Sequence, residues 1–299
     1  MRLIVTSDLH YNVLRSRQPT IRIAEQICGL SSRRGDAEPN RADALLILGD
    51  AAGQDTAILR DCLHLFDSFA GRKLFVPGNH DIWTTPDGSS LDRYQRVLPE
   101  ICREAGFHML DVEPVVLGNV GLVGCMGWYD FSFRPRELGI PLRFYQEKIA
   151  PGAAARMDRY AHLLESTHDV PEETLRMGTR WLDGEYVHLP MTDEEFCGLL
   201  LRRLDEHLAR VVEMCETIVV GLHHVPFREL MPLNDNPTWA FGRAFLGSEA
   251  LGELLLRHPK VRHVYCGHTH KAGQTTRGRI QCINTGCTYT EKRYELLEL

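Results

Sequence analysis

The 299-residue chain has no run of about 18 apolar residues, the length that a membrane-crossing helix requires. Its N-terminus reaches Asp8 after a short apolar stretch, without the apolar core and small-residue cleavage site of a secretory leader. Both absences point to a cytoplasmic protein. The nine cysteines are odd in number and scattered, with no Cys-x-x-Cys pair, which argues against a disulfide framework and a thiolate zinc site. Basic residues are in the minority. With 34 Lys and Arg against 40 Asp and Glu, the formal charge of −6 offers a polyphosphate backbone no general attraction, so nucleic acid is disfavoured as a substrate. Internal repeats and low-complexity tracts are also missing. The remaining balance, 43% hydrophobic and 25% charged, is that of an ordinary soluble globular chain.

Short Val/Ile/Leu-rich runs at 2–7, 44–48, 73–76, 217–222 and 261–266 read as strands buried on both faces. Helical patterns over roughly 19–33 and 54–70 separate the first three, giving a β-α-β-α-β opening and a parallel sheet. Gly118-Asn119 between two apolar runs signals a type I′ hairpin or a near relative, and Arg277-Gly278 signals a second. Residues 129–216 differ in character, with five prolines punctuating short charged helical stretches, and read as a helical insertion in a single domain spanning 1–299. Its last helix is the best defined. Thr192 and Glu195 form a capping box, and Phe196, Leu200, Leu204, Leu208, Val211 and Cys215 repeat at helical spacing as a packing stripe.

Histidine is plentiful at 14 residues, and its placement is informative. Asp8-Leu9-His10, Gly49-Asp50, Gly78-Asn79-His80-Asp81, His223-His224-Val225-Pro226 and Gly267-His268-Thr269-His270 each follow a predicted buried strand. In an open α/β sheet, the loops at the carboxyl ends of strands converge on one crevice, so these donors become neighbours. Imidazole and carboxylate without thiolate suit a hydrolytic divalent-metal centre. On an extended segment, Asp8-x-His10 and His268-x-His270 would each put two donors on one side.

In this order the five blocks resemble the signature of the calcineurin-like metallophosphoesterases, over about residues 1–127 and 217–299. The resemblance implies a four-layer αββα sandwich of two mixed sheets, with 129–216 inserted between its halves. It implies that Asp8, His10, Asp50 and His270 hold one divalent ion and that Asp50, Asn79, His224 and His268 hold the other, manganese first, with iron, zinc or cobalt as alternatives. Such a pair would lower the pKa of a shared water, so that bridging hydroxide attacks a phosphate ester in a small phosphorylated substrate, whether monoester, diester or nucleotide. His80 would lie over the phosphate as a charge stabiliser or proton donor. Asp81 is divided between that site and capping the next turn. The family's His-x-Pro block matches His224-Val225-Pro226, so His224 is taken as the ligand and His223 as its neighbour. Ala51-Ala52-Gly53-Gln54 replaces the aspartate and arginine that follow Gly-Asp in the protein serine/threonine phosphatases, which argues against that activity. Arg134, Arg136 and Arg143 could supply a substitute cation. A nuclease of the same family and a non-catalytic protein-binding scaffold are the competing readings. The first would want a basic approach surface and the second would have lost ligands.

Overall fold

The strands, in chain order, are β1 (Arg2–Thr6), β2 (Ala44–Leu48), β3 (Arg72–Val76), β4 (His108–Met109), β5 (Val115–Leu117), β6 (Val120–Cys125), β7 (Thr217–Leu222), β8 (Val261–Cys266), β9 (Gly273–Arg277), β10 (Ile280–Asn284) and β11 (Glu295–Glu298). They come from a computed structural model that describes residues 1–31, 41–232 and 236–299. One sheet has the order β11-β1-β2-β3-β4 and the other β5-β6-β7-β8-β10-β9. Both are mixed. β1 to β4 run parallel with β11 antiparallel at the edge, and β6, β7, β8 and β10 run parallel with β5 and β9 antiparallel outside them.

The sheets face one another through Leu3, Val5, Leu46, Leu48, Leu74 and Val76 on one side and Val120, Leu122, Val219 and Tyr265 on the other. Each fully buried aliphatic chain there stabilises by about 1.5–3 kcal/mol. Gly124 and Gly221 let the layers meet: a Cβ at Gly124 would lie 2.3 Å from Leu110 Cβ, and one at Gly221 would lie 2.7 Å from Leu48 Cδ2. Helices α1 (Leu14–Gly29) and α2 (Thr56–His64) bury Ile23, Ile27, Leu59 and Leu63 in a second, larger core, and the helices Asp193–Val211 and Glu249–Arg257 contribute Leu200, Leu204, Leu251 and Leu255 to it. No helix among the described residues is long and apolar enough to cross a membrane.

Both expected hairpins form, with Leu117 opposite Val120 and Arg277 opposite Ile280. At the first, Gly118 takes φ 61° while Asn119 does not turn positive, a pattern closer to type II′ than to I′. Helix α1 starts five residues before the expected 19 and carries Pro19 inside it. Ser16 and Thr20 hold its start, since both hydroxyls donate to the Leu9 carbonyl, at 2.6 and 2.8 Å. The expected end at 32–33 lies outside the described residues. Helix α2 is shorter than 54–70; Asp55 caps it by accepting from Ala57 N–H at 2.8 Å. Between β6 and β7 the chain is helical, ending in the helix Asp193–Val211 with both halves of its capping box made. Backbone bonds from Thr84 to Tyr186 and from Ser90 to His188 tie this segment to the loop after β3.

Candidate metal centre

All five motif loops leave the carboxyl ends of β1, β2, β3, β7 and β8 and meet where the two sheets adjoin. The way they turn differs from the expectation. Asp8, His10, Asp50, His268 and His270 all have φ between 44° and 70°, so neither Asp8-x-His10 nor His268-x-His270 is extended, and strand alternation does not align their side chains. Each donor sits instead on a left-handed residue, a conformation that costs about 1–3 kcal/mol and persists where the surroundings fix it. Here backbone bonds fix it: Asp8 N–H to the Gly49 carbonyl at 2.9 Å and His10 N–H to the Asp50 carbonyl at 2.8 Å.

One cluster gathers Asp8, His10, Asp50 and His270. His10 Nε2 lies 3.0 Å from His270 Nε2 and 3.6 Å from Asp50 Oδ2, and His270 Nε2 lies 3.5 Å from Asp8 Oδ1. The second gathers Asp50, His223 and His268, with Asn79 beside them. His223 Nε2 is 3.1 Å from Asn79 Oδ1, 3.1 Å from His268 Nδ1 and 3.4 Å from Asp50 Oδ1. The proton positions in this set follow from its outer partners. His223 Nδ1 faces the Leu48 carbonyl at 2.9 Å and His268 Nε2 faces the Phe245 carbonyl at 3.2 Å, so those nitrogens carry hydrogen and the opposite ones carry lone pairs. Asn79 Nδ2 donates to Asp183 at 2.9 Å, which turns its carbonyl oxygen inward. Lone pairs therefore meet lone pairs with no hydrogen between them, which is the electrostatic signature of a cation site. Asp50 serves both clusters, one oxygen each.

A family model for calcineurin-like phosphoesterases matches residues 1–272. The chain belongs to the calcineurin-like phosphoesterase family. Its fold is similar to the crystal structure of phosphopantetheinyl hydrolase (PptH) from Mycobacterium tuberculosis, at TM-score 0.66 and 19% identity over 98% of this chain and 95% of that one. It is also similar to a dimetal phosphatase from Danio rerio, at TM-score 0.54 and 14% identity over 99% of this chain and 91% of that one. No curated protein sequence matches it.

His224, expected as a ligand, belongs to neither cluster. Its backbone N–H and its Nδ1 both face the Met126 carbonyl, at 3.0 and 3.1 Å, and its ring packs against Trp128, Tyr129 and His268. His223 takes the inward position. The two rings do not face oppositely as expected: their centroids are 5.3 Å apart and both pack on His268, and His223 is the one whose nitrogen joins the cluster. The motif glycines make room for the inward ring: a Cβ at Gly49 would come within 2.7 Å of His223 Nδ1, and one at Gly78 within 2.8 Å of its Cε1.

Among the described residues, Asp81 bonds neither into a cluster nor onto the turn that follows it. It accepts from Gly78 N–H at 2.8 Å and Ala52 N–H at 3.2 Å, joining the two motif loops. Arg93, which sequence reasoning missed, is buried and donates to the carbonyls of Gly53, Gln54 and Asp81, bracing the stretch where the protein phosphatases carry their arginine. Arg143 pairs with Asp169 and Arg134 bonds the Phe131 carbonyl, while Arg134 and Arg136 line a separate surface cavity with Arg228 and Arg243. None of the three substitute arginines contacts the clusters. Tyr289, also missed, packs on His10 and His270 at ring distances of 4.8 and 4.9 Å.

Burial sets the protonation states. It holds the His10 and His268 imidazoles well below their ordinary range, with neighbouring histidines adding to the effect, so both are neutral and able to offer lone pairs. It pushes the Asp50 carboxyl well upward, reinforced by Asp8, a penalty that a cation between them would lift. Burial, with His223 and His270, takes His80 down to about 3. His80 Nε2 stands 3.8 Å from Asp50 Oδ2, and its ring stacks on Trp83 at 3.7 Å. Asp8, His10, Asp50 and His223 are sealed, whereas His80 keeps 21% and His270 24% of the side chain exposed, which marks the open side of the centre.

Proposed function

We propose that the chain is a dinuclear metal-dependent phosphohydrolase acting on a small phosphate ester. The reading is supported above all by the second cluster, where the lone pairs of His223, His268, Asn79 and Asp50 converge without a proton to separate them. Asp8, His10, Asp50 and His270 would hold one divalent ion, and Asp50, Asn79, His223 and His268 the other, manganese being the first candidate among oxygen- and imidazole-bound metals. Two such ions supply charge neutralisation at the phosphoryl group and a nucleophile at neutral pH.

The chain's own residues divide the rest of the work. Asp50 spans both sites with a single negative charge, and the uncharged Asn79 limits repulsion of an anionic ester. His80, at the open side, directs its ring N–H at the phosphoryl or leaving oxygen. Neutral in the free protein, it still has one N–H to donate, and an arriving phosphate raises its proton affinity. The experiment is a panel of aryl phosphates, phosphodiesters, nucleotides, pyrophosphates and phosphopantetheinyl compounds, assayed with Mn²⁺, Co²⁺, Zn²⁺ or Mg²⁺. The last class is included because one similar fold bears that name. Hydrolysis that requires added metal is expected, and activity that survives exhaustive chelation would overturn the proposal.

A further inference from the structure

Asp183 lies in the one-turn helix Asp183–Tyr186, within the helical segment between β6 and β7, and is fully buried. Four groups donate to it. Asn79 Nδ2 and Trp83 Nε1 reach Oδ1 at 2.9 and 2.7 Å, and Trp181 Nε1 and the Tyr129 hydroxyl reach Oδ2 at 2.7 and 3.1 Å. All four are uncharged. A carboxylate buried without a cation is costly even when hydrogen-bonded, and here its route to a positive charge runs through Asn79 into the second cluster. Two of its partners matter for the centre. Asn79 can aim Oδ1 inward because Asp183 holds its amide nitrogen, and Trp83, held by the same oxygen, carries the stacked His80 ring.

We infer that Asp183 is a positioning residue for the second cation cluster, fixing the Asn79 amide and seating Trp83 beneath His80, so that the helical segment sets the affinity of that site and not of the other. The inference rests on the proposed roles of Asn79 and His80. It separates from a merely structural role because a structural staple, once lost, would weaken both sites together or only lower the melting temperature. The Asp8, His10 and His270 cluster has no bond to Asp183 among the described residues, so selectivity is the signature.

The test is a Mn²⁺ titration by calorimetry, with metal analysis after equilibrium dialysis, on the stripped full chain and on Asp183→Asn. An asparagine keeps the shape but presents an NH₂ to donors that need an acceptor. One of the two affinities should fall by about 10–100-fold, the usual cost of losing a partner behind a metal ligand, and it should be the one that Asn79→Ala also weakens. The Mn²⁺ concentration for half-maximal activity should rise by the same factor, with kcat largely recovered at saturating metal. Equal weakening of both sites, or a lowered melting temperature with both affinities intact, would overturn the inference while leaving the function standing. A wild-type chain that binds no metal would overturn both. Should Asp183→Asn not fold, Tyr129→Phe, which removes one donor and keeps the ring, must shift the same affinity in the same direction by a smaller factor. An unchanged affinity there would also overturn the inference.

Discussion

The cluster of Asp8, His10 and His270 is assembled by the sandwich's own loops and opens to solvent at His270, whereas the cluster of Asn79, His223 and His268 is almost wholly buried and braced from outside those loops. Left-handed residues occur in both, and backbone bonds to the Gly49-Asp50 loop hold Asp8 and His10 of the first. The second depends on distant partners: Asp183 lies 104 residues from Asn79, and the Phe245 carbonyl and Trp181 ring stand against His268. The first cluster takes an outer contact from Tyr289 of the sandwich, whereas the second takes its outer contacts also from the helical segment between β6 and β7. Asp50 is the one member common to both.

Removing the shared member should have the largest effect. Asp50→Asn is expected to weaken both ions together and to reduce kcat/KM well beyond the 10–100-fold typical of an outer partner. Metal analysis alongside kinetics checks this, and loss of one ion alone would show that Asp50 belongs to a single cluster.

The adjacent histidines come next. His223→Ala should abolish the second ion and leave the first, with activity falling alongside occupancy. His224→Ala should keep both ions and instead lower stability by about 2 kcal/mol or more, through the cavity left among Trp128, Tyr129 and His268. Denaturant melts paired with metal content separate these outcomes, and the opposite ranking would restore His224 as the inward residue.

This reversal shows what the sequence could and could not disclose. The five motif blocks, the strand runs and the two hairpins were readable because apolar runs, glycine turns and donor spacing are local signals. Which of two neighbouring histidines faces inward was not, since β7 is buried on both faces along Ile218 to Leu222 and no polar alternation reveals its register. Asp183 gave no signal either, as one carboxylate in a charged helical stretch resembles any solvated acid until Asn79, Trp83, Tyr129 and Trp181 are folded around it. The left-handed donors were equally hidden. Asp and His tolerate that conformation better than most residues, yet nothing in Asp-x-His announces it.

A smaller, chemically specific effect is expected at the open side. His80→Ala should leave both metal affinities intact while kcat falls by about 10²-fold, less for an aryl ester whose phenol leaves readily than for an alkyl ester. Steady-state kinetics on the two esters tests this, and equal losses would assign His80 to charge stabilisation alone. Unchanged rates on both would remove any catalytic role and favour the scaffold reading.

The mildest effect concerns pH in the chelated protein, where His10 represents one cluster and His268 the other. Both have folded pKa values below the ordinary 6.5, so the unfolded chain binds protons more readily. Their stabilising contribution is present above about pH 6.5 and is lost as pH falls, a loss that His80 extends toward its value of about 3. Asp50, raised by burial, acts oppositely, its contribution being lost as pH rises. The histidines outnumber it, so thermal melts in chelator should drop between pH 7 and 5, and saturating Mn²⁺ should raise the melting temperature at pH 7. A flat profile in chelator would mean that these imidazoles are not held neutral.

The most direct measurement is anomalous diffraction at the manganese edge from crystals of the full chain soaked in Mn²⁺. Two peaks are expected on either side of the Asp50 carboxylate, one among Asp8, His10 and His270 and the other among Asn79, His223 and His268. A single peak, or a second peak bound by His224 in place of His223, would contradict the account.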